Sequence, residues 1–87
     1  MLMAKVVGSV VSTQKDESLV GKKLMIIQPI NSEQQNIRFH QVAADTGGAG
    51  IGDYVLTASG SSARKMFSNP SDAVDLAIVG IIDTFDL

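Results

Sequence analysis

The sequence predicts a small all-β fold carrying one short helix, and three observations predict it. Five short runs rich in β-branched and apolar residues alternate with turn clusters along 87 residues, a length that makes one domain, 1–87. Glycines stand inside the first and last runs, at Gly8 and Gly80, where a small barrel needs bulges or bends to close. Only one stretch, between the fourth and fifth runs, has the composition of a helix.

Run one is "MAKVVGSVVST" (3–13), closed by the polar "QKDES". Run two is "KKLMIIQPI" (22–30), followed by the turn cluster "NSEQQN". Run three is "IRFHQVAAD" (37–45), whose alternation sets Ile37, Phe39, Gln41 and Ala43 on one face and Arg38, His40, Val42 and Ala44 on the other. A glycine-rich loop then leads into run four, "DYVLTAS" (53–59). The helix is expected over "GSSARKMF" (60–67), with Ser61 or Ser62 capping its first turn and "SNPSD" ending it. Run five is "DLAIVGIIDTF" (75–85). Five strands with a short helix before the last describe a small five-stranded OB-like β-barrel.

A chain of this size buries only about 60–65% of its unfolded surface and needs help from disulfides, metals or oligomerisation. It has no cysteine and a single histidine, His40, so neither disulfides nor a metal site is expected. Oligomerisation remains, and 45% apolar against 18% charged residues leaves apolar surface for a subunit contact. A net charge of −2 disfavours nucleic acid as a partner. The best apolar run, "LAIVGII" at 76–82, is far short of the ~18 residues of a membrane span. No basic region precedes the apolar N-terminus, so no signal peptide is read, and a soluble, cytoplasmic chain without a membrane partner is expected.

The stretch "DTGGAGIGDYVL" (45–56) poses the one question of chemistry. Gly47 and Gly52 have the spacing of a phosphate-binding P-loop, but Asp53 stands where that loop carries its lysine. The dinucleotide fingerprint fails too, since it must open a helix and this loop opens a strand. The glycines therefore read as backbone positions that need positive φ or close approach. His40 has no orienting carboxylate marked for it, and the serines of "GSSAR" lack the nucleophile-elbow pattern. Asp45, Asp53, Asp75, Asp83 and Asp86 read as solvated residues at strand ends. No catalytic residue and no cofactor are expected. The alternatives are an OB-type ligand- or nucleic-acid-binding module, against which the scattered Phe39, Tyr54, Phe67 and Phe85 weigh, and a small enzyme for a phosphorylated substrate.

Several stretches together resemble the CcmL/EutN family, the pentameric vertex proteins of bacterial microcompartment shells. They are "GSVVST" (8–13), "LVGKKL" (19–24), "QP" (28–29), "VAADTGGAGIGDYVL" (42–56), "GSSAR" (60–64) and "DLAIVGIID" (75–83), in the family's order. "VVSTQK", "LVGKKL" and "SSARKMFSNP" lean toward vertex proteins of propanediol-type compartments. The resemblance implies a non-catalytic homopentamer that caps the fivefold vertices of a shell built from hexagonal shell proteins. It also implies that Gly48, Ala49, Gly50 and Gly52 form a tight loop at the ring's contacts or pore. Arg64, beside Ser61 and Ser62, is then the candidate for an inter-subunit or loop-holding salt bridge, with Asp53 its partner. Gly47 departs from the family, standing where relatives commonly carry an aliphatic residue, and Asp53 replaces the commoner glutamate.

Overall fold

Side chains that alternate along each strand fill a barrel from the inside. β1 (Leu2–Val10) contributes Ala4 and Val6, β2 (Lys23–Ile30) Met25 and Ile27, and β3 (Gln41–Asp45) Ala43. β4 (Tyr54–Ser59) adds Val55, and β5 (Leu76–Ile81) adds Leu76 and Ile78. Small alanines facing larger aliphatics suit the narrow interior of a five-stranded barrel. The computed structural model describes residues 1–86; Leu87, the last residue of the expected domain, lies outside them.

The strands close in the order β1-β2-β3-β5-β4. All neighbours are antiparallel except β3 and β5, which run parallel through Ala44↔Ala77 and Asp45↔Ile78 alone. Thr46 extends that short seam, its Oγ1 donating to the Ile78 carbonyl at 2.7 Å. Both expected closures are present. The β1–β2 register shifts between Val6 and Gly8, and the β4–β5 register shifts opposite Gly80, between Leu56 and Thr57. At Gly8 a Cβ would sit 3.3 Å from Ile26 Cδ1, so the bulge packs where a side chain would crowd its partner strand.

A second apolar layer lies on the outer face of β3 and β5. There α1 (Gly60–Arg64) brings Ala63 against Ala44, Val74 and Ala77, with Leu19, Leu24, Phe67 and Val79 around them. A 3-10 turn at Glu17–Leu19 supplies Leu19.

Four boundaries differ from the sequence reading by three residues or more, each for a physical reason. β1 stops at Val10, and Ser12 turns the chain by donating to the Gln14 carbonyl at 2.8 Å. Run three is a strand only from Gln41; residues 37–40 are an exposed arm whose alternation has no partner strand to satisfy it. The helix ends at Arg64 rather than Phe67, because Phe67 packs into the outer layer, and its N-cap is Ser59 with no side-chain cap hydrogen bond. Ser61 and Ser62 lie inside the helix and do not cap it. β5 ends at Ile81 because β4 offers no residue beyond Tyr54; Ile82 donates once to the Tyr54 carbonyl, and Phe85 then meets the Tyr54 ring edge-on at 5.4 Å.

The connectivity gives the barrel two distinct ends. Val10, Lys23, Asp45, Tyr54 and Ile81 mark the end that carries the glycine loop. Leu2, Ile30, Gln41, Ser59 and Leu76 mark the other, which carries the turn after β2, the arm 37–40 and the start of α1.

Candidate assembly surface

The loop between β3 and β4 is held by two carboxylates. Asp45 has a buried side chain whose Oδ1 accepts the Gly47 amide at 3.0 Å and whose Oδ2 accepts the Ala49 amide at 3.1 Å. Lys23 Nζ stands 3.9 Å from that carboxylate and donates to the Ala49 carbonyl at 2.7 Å. Asp53 closes the second half, its Oδ2 accepting the Gly50 amide at 2.8 Å while its own amide donates to the Gly50 carbonyl. Asp45 is thus not the solvated turn residue that its strand-end position suggests. A carboxylate that gathers amides in this way fixes a loop that has no ladder of its own.

Two bonds tie the loop to β1: the Gly52 amide donates to the Val6 carbonyl and the Val6 amide to the Asp53 carbonyl, both at 2.8 Å. Ala49 is 1% exposed and belongs to the barrel core, so its side chain anchors the loop and offers nothing to a neighbour. The glycines divide by role. Gly52 has φ +97°, which an L side chain resists. Gly47 and Gly48 have ordinary φ and no atom within 4 Å of a would-be Cβ, and Gly50 would meet only Asp53 Oδ2 at 3.8 Å. Nothing inside the subunit therefore demands glycine at 47 or 48.

Ser61, Ser62 and Arg64 sit on α1, whereas Asp53 immediately precedes β4. The six residues of β4 separate the two groups by about 20 Å of strand. Among the described residues the ion pair is Lys23–Asp45, and neither Asp53 nor Arg64 joins one. Within the subunit the loop is held by Asp45, Asp53 and Lys23, without Arg64. A pairing of Asp53 with Arg64 requires two copies.

Two features escaped the sequence reading. Gln28 is buried and its Nε2 donates to the carbonyls of Pro29 at 2.9 Å and Arg38 at 2.7 Å, bracing the arm against β2. The signal was a lone amide inside an apolar run, next to a proline. The other is the Asp45–Lys23 clamp, whose partners are 22 positions apart and meet only through β2–β3 register, Lys23↔Asp45. Elsewhere, the Ser18 hydroxyl and then the Ser18 amide hold Asp16 below the usual carboxylate range. A depressed carboxylate stabilises the fold above its ordinary pKa and loses that contribution as the pH falls through its folded value. Among the described residues no cluster of His, Cys, Asp or Glu is placed to hold a metal ion, and no helix is long and apolar enough to cross a membrane.

The family model described as "Ethanolamine utilisation protein EutN/carboxysome" matches residues 1–83. The bacterial microcompartment shell vertex protein PduN of Salmonella typhimurium is 48% identical over 88 residues, covering 97% of this chain and 97% of that protein. The carboxysome shell vertex protein CcmL of Nostoc sp. is also 48% identical, over 85 residues, covering 97% of this chain and 84% of that protein. The solved structure of the GrpN pentameric microcompartment shell protein from Rhodospirillum rubrum matches with a TM-score of 0.89 at 42% identity, covering 100% of this chain and 99% of that one.

Proposed function

The chain belongs to the EutN/CcmL family, and we propose from that membership that it is a structural subunit of a bacterial microcompartment shell. It forms a homopentamer that caps the fivefold vertices of the polyhedral shell, works in the cytoplasm and catalyses no reaction. The observation that carries this reading is 48% identity along 97% of both chains to a protein named for the shell vertex. The propanediol-type lean rests on "VVSTQK", "LVGKKL" and "SSARKMFSNP", while identity to the carboxysome relative from Nostoc sp. equals that to PduN.

Geometry explains why such a subunit is needed. Hexagonal shell proteins tile a flat sheet, and a sheet closes into a polyhedron only through fivefold points. A fivefold ring is a heterologous assembly in which one patch of each subunit meets a different patch of the next. Gly48, Gly50, Gly52 and Asp53 belong to the contacts or the pore of that ring, and Ser61, Ser62 and Arg64 to the facing side. Support comes from the unoccupied space beside Gly47 and Gly48, which glycine leaves open for another chain. The hexagonal shell proteins are its partners at the rim.

The test is co-expression with hexagonal shell proteins, followed by purification and electron microscopy. Closed polyhedra that contain the chain, and open sheets or tubes without it, are expected. Equally closed shells in its absence, or shells that exclude it, would overturn the reading.

A further inference from the structure

Beyond the end of β5 the chain builds one wall of a groove on the outside of the barrel. Ala4 and Val55 fill the interior, so their neighbours Met3 and Leu56, paired across β1 and β4, lie together on the outer face. Gly80 stands opposite Leu56 on β5 and brings no side chain over it; a Cβ there would lie 3.7 Å from Leu56 Cδ1. Residues 82–86 are held by the Ile82 amide on the Tyr54 carbonyl and by Phe85 edge-on to the Tyr54 ring. Met3, Leu56, Ile82 and Phe85, with Asp83 and Asp86, line a cavity of about 500 Å³.

The terminal segment sorts its side chains by chemistry. Ile82 and Phe85 are half-buried, whereas Asp83 and Asp86 are exposed. Neither carboxylate joins an ion pair among the described residues. Lys5, two residues along β1 from Met3, holds its ammonium 5.6 Å from the centre of the Tyr54 ring and does not line the cavity. The result is an apolar hollow edged by uncompensated negative charge. Its volume falls within the span of ligand sites, about 300–1,000 Å³. It lies on the outer face, so an occupant keeps one side in water. A side chain carried on a backbone meets that condition, and cationic neighbours on the same backbone match the carboxylates. The family model matches residues 1–83, so Phe85 and Asp86 lie beyond the segment that defines the family.

We propose that this groove docks a short peptide segment of another protein, whose leucine-sized side chain fills the hollow over Met3 and Leu56 while flanking lysines or arginines meet Asp83 and Asp86. All of these residues belong to one subunit, so the site does not depend on the ring. The wall is already in place, anchored at two points on Tyr54, and little freedom is lost when the segment docks. Contacts between exposed charges add modest affinity and are screened by salt. The apolar side chain therefore supplies the larger share, and the carboxylates select its neighbours.

The probe is an end-blocked, fluorescently labelled peptide, Lys-Leu-Lys-Lys-Leu-Lys, titrated with the intact protein and followed by fluorescence anisotropy. Its counterparts carry glutamate in place of lysine, or serine in place of leucine. Saturable binding of the lysine–leucine peptide alone is expected, weakening as salt rises. Asp83→Asn with Asp86→Asn is expected to weaken it several-fold. Removing two exposed carboxylates elsewhere, Asp72→Asn with Asp75→Asn, leaves it unchanged. Leu56→Ala is expected to weaken it as well, with circular dichroism checking that each variant folds. No saturable binding overturns the proposal. So does equal binding of the serine peptide, which makes the attraction one of charge alone, or of the glutamate peptide, which makes it apolar alone. Equal losses from the two carboxylate pairs likewise remove the groove as the site.

Discussion

Without the Asp45 carboxylate, the amides of Gly47 and Ala49 lose their acceptor at a position where the side chain is buried. Hydrogen bonds to charged groups contribute roughly 1.5–3 kcal/mol each, and the two here share one carboxylate. Asp45→Ala is therefore expected to destabilise the subunit by about 2–4 kcal/mol in chemical denaturation, with Asp45→Asn losing less. The loop's glycines separate at the same scale. Gly52→Ala forces a side chain into φ +97° and is expected to cost about 1–2 kcal/mol. Gly47→Ala, with ordinary φ and open space, is expected to leave the melting temperature of the subunit nearly unchanged. Equal losses for the two variants would contradict the division of roles. Sequence alone identified the loop as turn-forming but not which glycine does the turning. Nor did it show that Asp45 is buried, since that depends on a strand register linking it to Lys23.

At the scale of elements, the glycine loop carries the proposed ring contact, and the arm is the braced, exposed segment at the other end of the barrel. Gly50→Val puts a Cβ 3.8 Å from the Asp53 carboxylate, an ordinary van der Waals contact. It is expected to abolish ring formation, judged by size-exclusion chromatography, while Lys15→Ala leaves the ring intact. Intact rings from Gly50→Val would remove the loop from the contact. For the arm, Gln28→Leu keeps the apolar volume but strips the Arg38 carbonyl of its donor, worth about 1 kcal/mol. Faster amide exchange over residues 36–40 is expected; unchanged exchange would mean that other contacts hold the arm. Gly8 and Gly80 were legible as bulge sites because glycine inside a β-rich run has few other uses. The arm was not legible as an arm. Period-two alternation reads the same in a paired strand and in an extended segment, and only the missing partner strand separates them. The helix was legible by composition, but its cap was not: the cap was expected at Ser61 or Ser62, whereas the backbone enters the helix at Ser59.

At the scale of the molecule, the barrel's two ends differ, one carrying the glycine loop and the other the arm, and a heterologous ring needs two different patches on each subunit. A chain with one self-complementary patch stops at a dimer, whereas a directed chain closes into a ring or continues as a filament. The barrel class followed from strand count, turn spacing and the two strand glycines, with the family motifs pointing the same way. The angle that closes a ring at five rather than another number is a property of two docked surfaces and is not written in any one stretch of the chain. Native mass spectrometry of the purified protein across a range of concentrations tests the central claim most directly. A dominant pentamer persisting on dilution is the predicted result; a monomer at every concentration, or a dimer as the largest species, would contradict it.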